Sequence, residues 1–344
     1  MSVVYIDKQA VHYEVFGKGR PVLFLHGWLG SWRYWLPSME VASTHFRTYA
    51  FDLIGFGDTH QRNIEPSISA YAEQVIRFLD ELGIDQVALV GHSMGGMVAL
   101  KIAIEHPNRI ERVVTVGAPI VGSSLALLLK LTAFRPIARG MDALPSLTKW
   151  LFRYFLAEAD EQAMLEILED SVKPTADSIR TSVRSMMRTD LRPDLPRLRV
   201  PSLVLHGTHD DIVMPTQIEV IRRALHTSPY LRQFSIEGSR HFPWVDQPDR
   251  FHEQLITFLR SPREQLLPPS AQPEPASQPE PAAQPEAPAH PQPAVLLEAT
   301  PQSQPVVRPE AQASPECGER LPLPTLELPV PVVSTTPSTI DRIA

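Results

Sequence analysis

A single cysteine, Cys317, stands among the 344 residues, so a disulfide framework within the chain is excluded and nothing in cysteine usage points to an oxidising compartment. Clusters of lysine and arginine are missing too. With 32 such residues against 39 acidic ones the formal charge is −7, and this lacks the electrostatic footprint of a nucleic-acid binder; no nucleic-acid partner is expected. No apolar run is long enough to span a bilayer. The longest, Leu125-Ala126-Leu127-Leu128-Leu129, breaks at Lys130 and reads as a buried or lid helix, so no integral membrane segment is expected. The opening Met1-Ser2-Val3-Val4-Tyr5-Ile6-Asp7 has no basic stretch, apolar run and cleavage site in succession, and a cytoplasmic protein is expected.

What is present falls into two populations. Up to about Pro262 the composition is that of an ordinary globular chain, whereas beyond it Pro, Ala, Gln, Glu and Ser dominate, as in Gln272-Pro273-Glu274-Pro275-Ala276. Such a segment buries too little apolar surface to offset its ordering entropy, so residues 263–344 are expected to be a disordered tail. Passive disorder is the preferred reading of this tail; the alternative is an unidentified protein partner, for which the apolar cluster from Leu321 to Val330 is the one candidate segment.

The globular part alternates strands and helices. Short strands are expected at Val3 to Ile6, Val11 to Phe16, Val22 to Leu25, Thr48 to Phe51, Val87 to Val90, Val113 to Val116, Ser202 to Leu205 and Leu231 to Ile236. A helix carrying Tyr71, Val75, Phe78, Leu79 and Leu82 at helical spacing is stopped by Gly83, and another is expected over 97–106. Strands apolar on both faces, alternating with helices, predict an α/β fold with a parallel sheet covered on both sides. Between 119 and 194 the alternation gives way to helix-like pieces at 121–134, 146–157, 160–170 and 175–188, separated by Pro136, Pro145 and Pro174. An all-helical insertion at a strand's carboxyl end is placed to cover a site there, so 119–194 is read as a cap on a core formed by 1–118 and 195–262.

Chemistry concentrates at Gly91-His92-Ser93-Met94-Gly95, between a buried strand and a helix. A strand that turns straight into a helix leaves one strained residue at the turn with its side chain pointing outward, which makes Ser93 a candidate nucleophile. Gly91 and Gly95 remove the Cβ atoms that would collide where strand end and helix start cross. A serine hydroxyl needs a base and the base an orienting acid, in the order Ser, Asp/Glu, His. The loop His206-Gly207-Thr208-His209-Asp210-Asp211 supplies two carboxylates and Gly238-Ser239-Arg240-His241-Phe242 a histidine, each after a buried strand. An oxyanion hole needs two backbone N–H groups; Met94 and the loop His26-Gly27-Trp28 are the expected sources.

Taken together, these stretches resemble the α/β-hydrolase family in its cap-bearing branch of esterases, cofactor-free haloperoxidase-like enzymes and carbon–carbon bond hydrolases. His26-Gly27-Trp28, Asp52-Leu53-Ile54-Gly55-Phe56-Gly57-Asp58, Gly91 to Gly96, Gly207-Thr208-His209-Asp210 and Gly238 to Pro243 stand in the family's order and spacing. The resemblance implies a mostly parallel eight-stranded sheet flanked by helices, with Ser93 as nucleophile, His241 as base and then acid, and Asp210 as the orienting carboxylate. Asp210 is preferred to Asp211 because it stands three residues after Gly207 as in the family pattern. A serine at the elbow argues against the epoxide hydrolases and haloalkane dehalogenases of the family, which carry aspartate there. Arg240 stands where the family usually has glycine.

Other candidates are read more plainly. His92 is expected to pack, His26 to hold its loop, and the Asp52 to Gly57 turn to be structural. His206 and His209 lack a cysteine or carboxylate cluster suited to zinc, so no metal is expected, and no cofactor. Trp28 is expected to wall the pocket, with Met186 and Met187 of the cap as further substrate contacts or core filler. The expected activity is hydrolysis of small or medium apolar carboxylic esters through an acyl-enzyme. Alternatives are carbon–carbon bond hydrolysis aided by Arg184 or Arg188 of the cap, acyl transfer on the same triad, and a non-catalytic ligand-binding protein.

Overall fold

Buried apolar runs become the middle of one sheet, because only a strand covered on both faces tolerates apolar side chains on both. A computed structural model describes residues 2–59, 64–155, 161–214, 217, 219, 220, 223 and 229–267. Eight strands, β1 Ser2–Ile6, β2 Gln9–Phe16, β3 Pro21–Leu25, β4 Arg47–Phe51, β5 Val87–His92, β6 Ile110–Val116, β7 Ser202–Gly207 and β8 Leu231–Ile236, form one sheet in the order β1-β2-β4-β3-β5-β6-β7-β8. β2 runs antiparallel to both neighbours and every other pairing is parallel. β5 and β7 are buried along their whole length, whereas β8 at the edge exposes several residues.

The chain passes from β3 outward to β4 and returns to the other side of β3 as β5, so strand order reverses there. That reversal opens a crevice beyond the carboxyl ends of β3 and β5, where ligands bind in such sheets. Helices α1 (Leu36–Ser43), α2 (Ile68–Glu81) and α3 (Met94–Glu105) cover this half. Ser67 caps α2 by accepting from Ala70 N, and Gly83, at φ 63°, follows its end in the left-handed conformation that stops a helix. Helix α3 starts three residues earlier than its apolar pattern predicts, because the elbow leads straight into its first turn.

Among the described residues five helices follow β6: α4 (Leu127–Leu131), α5 (Arg135–Ala143), α6 (Pro145–Phe155), α7 (Glu161–Asp170) and α8 (Ala176–Arg188). The spacing predicts a break between helices at 121–134 and 146–157, with Pro136 in it. Pro136 instead occupies the first turn of α5, where its missing N–H would lack an intrahelical acceptor anyway. The helical segment leaves and returns at one point: Gly122 N donates to Thr189 O and Leu191 N to Ile120 O, a short bridge pairing Val121 with Asp190.

After β8 come α9 (Pro243–Asp246), α10 (Pro248–Arg260) and α11 (Arg263–Leu266). The expected tail from 263 is corrected here: Leu266 is buried and Arg232 Nη2 donates to Gln265 O at 2.8 Å. One apolar anchor thus carries the ordered fold past the compositional change. The chain divides into Met1–Gln278 and Pro279–Ala344; the expected disorder and partner segment from 268 onward lie outside the described residues. Among the described residues no helix is long and apolar enough to cross a membrane.

Candidate active site

The elbow forms as its sequence dictates. Ser93 has φ 51° and ψ −116°, a conformation that costs an ordinary residue on the order of 1–3 kcal/mol. Its N–H donates to Val116 O at 2.8 Å, tying the turn to β6. A Cβ on Gly91 would press on the Gly95 carbonyl, and one on Gly95 on the carbonyls of Leu25 and His26. The hydroxyl of Ser93 does not cap α3, so it is left for other chemistry.

His241 follows β8 and Asp210 follows β7, and the two meet in the buried interior with Nδ1–Oδ2 at 2.8 Å. Asp210 spends its other oxygen, Oδ1, on the N–H groups of Ile212 at 3.0 Å and Val213 at 2.9 Å. Burial pushes this carboxyl up, but His241, His206 and the Val213 N–H together outweigh it and leave it below the usual carboxylate range. Asp211 turns away and pairs with Arg240 at 2.6 Å. The Arg240 N–H is held by Asp246 Oδ2 at 2.7 Å, and the left-handed φ of this loop, 74°, falls at Gly238. Arginine in the usual glycine position therefore fastens the loop that carries His241.

Two contributors escaped the sequence reading. Gly117, at φ 52°, directly follows β6, and a Cβ there would lie 3.1 Å from His241 Nδ1 and 3.2 Å from Asp210 Oδ2. A glycine closing a buried strand was the available signal. Tyr34 left no signal of its role: its hydroxyl accepts from Gly27 N and donates to His92 Nδ1 at 3.1 Å. His92 Nε2 in turn donates to the backbone oxygen of His241 at 3.0 Å. Burial holds His92 well below the usual histidine range, so the neutral ring with one donor and one acceptor is the form this chain requires. His92 thus packs as expected, and it also joins the loop after β3 to the loop after β8.

His26 holds its own loop: Nδ1 donates to Gly27 O and Nε2 accepts from Leu53 N, both at 2.8 Å. Asp52 accepts from Trp32 N and Asp58 N and closes the turn before α2. His206 Nε2 donates to Val213 O at 3.0 Å. Among the described residues no group of three histidine, cysteine or acidic side chains is placed to hold a metal.

These protonation states make stability depend on pH. Burial lowers His26 to about 4, so below about pH 6.5 the unfolded chain binds a proton that the folded one refuses, and stability present above that pH is lost on acidification. His26 alone is expected to cost about 2 kcal/mol by about pH 5, with His92 acting in the same direction. Asp52, raised by burial to about 6 from 3.8, opposes them, because the folded chain takes its proton first. Urea melts at pH 7 and pH 5 check this: the wild type loses stability on acidification, and Asp52→Asn loses more.

Ser93 and His241 line one cleft of about 650 Å³, its open mouth included. Trp28, Leu128, Leu129, Ile167, Ile212 and Phe242 give it a largely apolar wall. The Trp28 indole is pinned to α8 by donating to Ser182 Oγ at 3.1 Å. Met94 is buried at the start of α3 beside Ser93, where an N–H lacks an intrahelical acceptor. Met186 and Met187 do not line this cleft; Met186 is buried in the core and Met187 is half-buried against it. Arg184 and Arg188 are exposed and lie outside its lining.

A strained elbow serine and a buried histidine–carboxylate pair at one sheet edge, beneath a helical cover, define a class. The chain belongs to the alpha/beta hydrolase fold family, which residues 20–248 match. It is 27% identical over 265 residues, 72% of this chain and 98% of the other, to pimeloyl-[acyl-carrier protein] methyl ester esterase of Vibrio cholerae serotype O1. Among solved structures it resembles an esterase from Exiguobacterium antarcticum, with TM-score 0.67, 22% identity and coverage of 75% and 98% of the two chains. A meta-cleavage product hydrolase from Pseudomonas fluorescens IP01 matches with TM-score 0.64, 22% identity and coverage of 75% and 97%. Likeness at that identity speaks to fold alone.

Proposed function

We propose that the chain hydrolyses small or medium carboxylic esters with an apolar acyl or alcohol part, through an acyl-enzyme formed on Ser93. The observation that carries this reading is the 2.8 Å contact of Asp210 with Nδ1 of His241, a histidine that lines the same apolar cleft as Ser93. Asp210 fixes the proton on Nδ1, which leaves Nε2 unprotonated and able to take the hydroxyl proton as Ser93 Oγ attacks the carbonyl carbon. The N–H groups of Met94 and Trp28 receive the oxyanion, each worth roughly 2.7–4 kcal/mol of barrier in such sites. Collapse expels the alcohol with the proton from His241, and water then repeats the sequence on the acyl-enzyme.

The name of the Vibrio cholerae relative supports an ester, and the cleft's wall supports an apolar one. Carbon–carbon bond hydrolysis gains no support from Arg184 or Arg188, which stand away from the cleft. Rapid mixing with p-nitrophenyl butyrate tests the reading. The expected result is a burst of p-nitrophenol stoichiometric with enzyme, followed by slower turnover. Absence of release across p-nitrophenyl esters of short to medium chain length contradicts it.

A further inference from the structure

A helix lying on a globular core normally turns polar residues outward. The stretch 127–137 does not. Its inward side is conventional: Leu125, Thr132, Ala138 and Met141 are buried, and α4 and α5 pack on α8. Its outward side carries Leu127 (73% exposed), Leu131, Phe134 (61% exposed) and Ile137. Between them stand Lys130, Arg135 and Arg139, with Lys149 and Arg153 on the following helix. Against these five cations residues 122–155 hold one carboxylate, Asp142. Among the described residues none of the five is paired with an acid. A basic, apolar face on a chain of formal charge −7 is a local inversion of the whole molecule's character.

We propose that this face docks the protein on an anionic lipid bilayer, and that amphiphilic acyl esters held in that bilayer are the substrates reaching Ser93. Apolar side chains this exposed, interspersed with cations, fit a deformable apolar phase beneath anionic headgroups better than a rigid partner. Lysine and arginine among them can bury their stems and keep their charges at the headgroups. A second copy of the chain is a poor occupant, since a two-fold contact would set this basic face, with Lys130, Arg135 and Arg139, against an identical basic face. The same stretch also walls the cleft from within, through Ala126, Leu128, Leu129 and Thr132. Leu128 belongs to both sides, being 44% exposed and part of the lining of the cleft that holds Ser93, so an acyl chain leaving the bilayer at this face meets it on the way in.

The docking half of the proposal is independent of catalysis; the substrate half rests on the ester-hydrolase reading. Flotation of the full chain with vesicles of phosphatidylcholine and phosphatidylglycerol at about two to one, which carry the anionic surface potential of such mixtures, tests the first without any activity readout. The wild type is expected to float with these vesicles, to stay behind with phosphatidylcholine alone, and to be released by high salt. The triple variant Lys130→Gln, Arg135→Gln, Arg139→Gln should lose on the order of a hundredfold in partitioning. Leu127→Ser, Leu131→Ser, Phe134→Ser should also stay behind, with a circular dichroism spectrum like that of the wild type. A wild type that does not float with anionic vesicles overturns the proposal, whether it is found monomeric, self-associated or holding an acidic protein. So does salt-insensitive flotation, which needs no variant to fold.

Discussion

Replacing Asp210 with asparagine is expected to lower kcat/KM for p-nitrophenyl butyrate by about 10⁴-fold while leaving the fold intact. The direction follows from the hydrogen bonds around the carboxylate. Ile212 N and Val213 N both donate to Asp210 Oδ1, so an asparagine must keep its carbonyl oxygen there and turn its NH₂ toward His241. Facing a donor, Nδ1 has to accept, and the ring proton moves to Nε2. The nitrogen proposed to take the proton from Ser93 is then already occupied. Asp211→Asn is the matched control. It loses an ion pair with Arg240 that is partly exposed, while the Arg240 N–H stays on Asp246, so kcat/KM should remain within a few-fold of wild type. Steady-state kinetics on the two variants separates adjacent carboxylates that differ by one position in sequence.

Ser93→Ala is expected to have the larger effect, a loss in kcat on the order of 10⁶-fold. Alanine and serine bear the same strain at φ 51°, so the elbow should form with either, and thermal unfolding of the variant should match the wild type closely. What disappears is the oxygen that, in the proposed mechanism, becomes bonded to the acyl carbon. Any remaining turnover would come from the binding cleft and the backbone donors acting on water. Loss of the burst together with the steady state would show that one group serves both phases.

How far the sequence reached depended on the range of the interaction concerned. The elbow is local: strand, glycines, serine and helix follow one another between Val87 and Glu105, and turn sterics alone single out Ser93. Asp210 and His241 were legible for a related reason, since each follows a buried parallel strand and parallel strands deliver their loops to one edge. Asp210 could be preferred to Asp211 only by resemblance. The two carboxylates have different partners, Asp210 meeting His241 and Asp211 meeting Arg240. Tyr34 was illegible because its partners Gly27 and His92, and through His92 the chain at His241, converge only through tertiary packing. The helical segment between β6 and β7 was the least legible. Apolar periodicity marks a helix without saying whether its apolar face meets core or cleft, and α8 turns Met186 inward while α4 and α7 supply the wall. Pro136 was read as a break when its position in the first helical turn made it a start.

The central claim is that Ser93 is a nucleophile activated by His241, and covalent labelling addresses it most directly. A fluorophosphonate probe offered to the folded protein should add one phosphonyl group per chain by intact mass, with the adduct mapped by peptide sequencing to Ser93. Labelling should vanish in Ser93→Ala and fall steeply in His241→Ala. A folded wild-type chain left unlabelled, or an adduct on another residue with Ser93→Ala labelled as readily as wild type, would contradict the account.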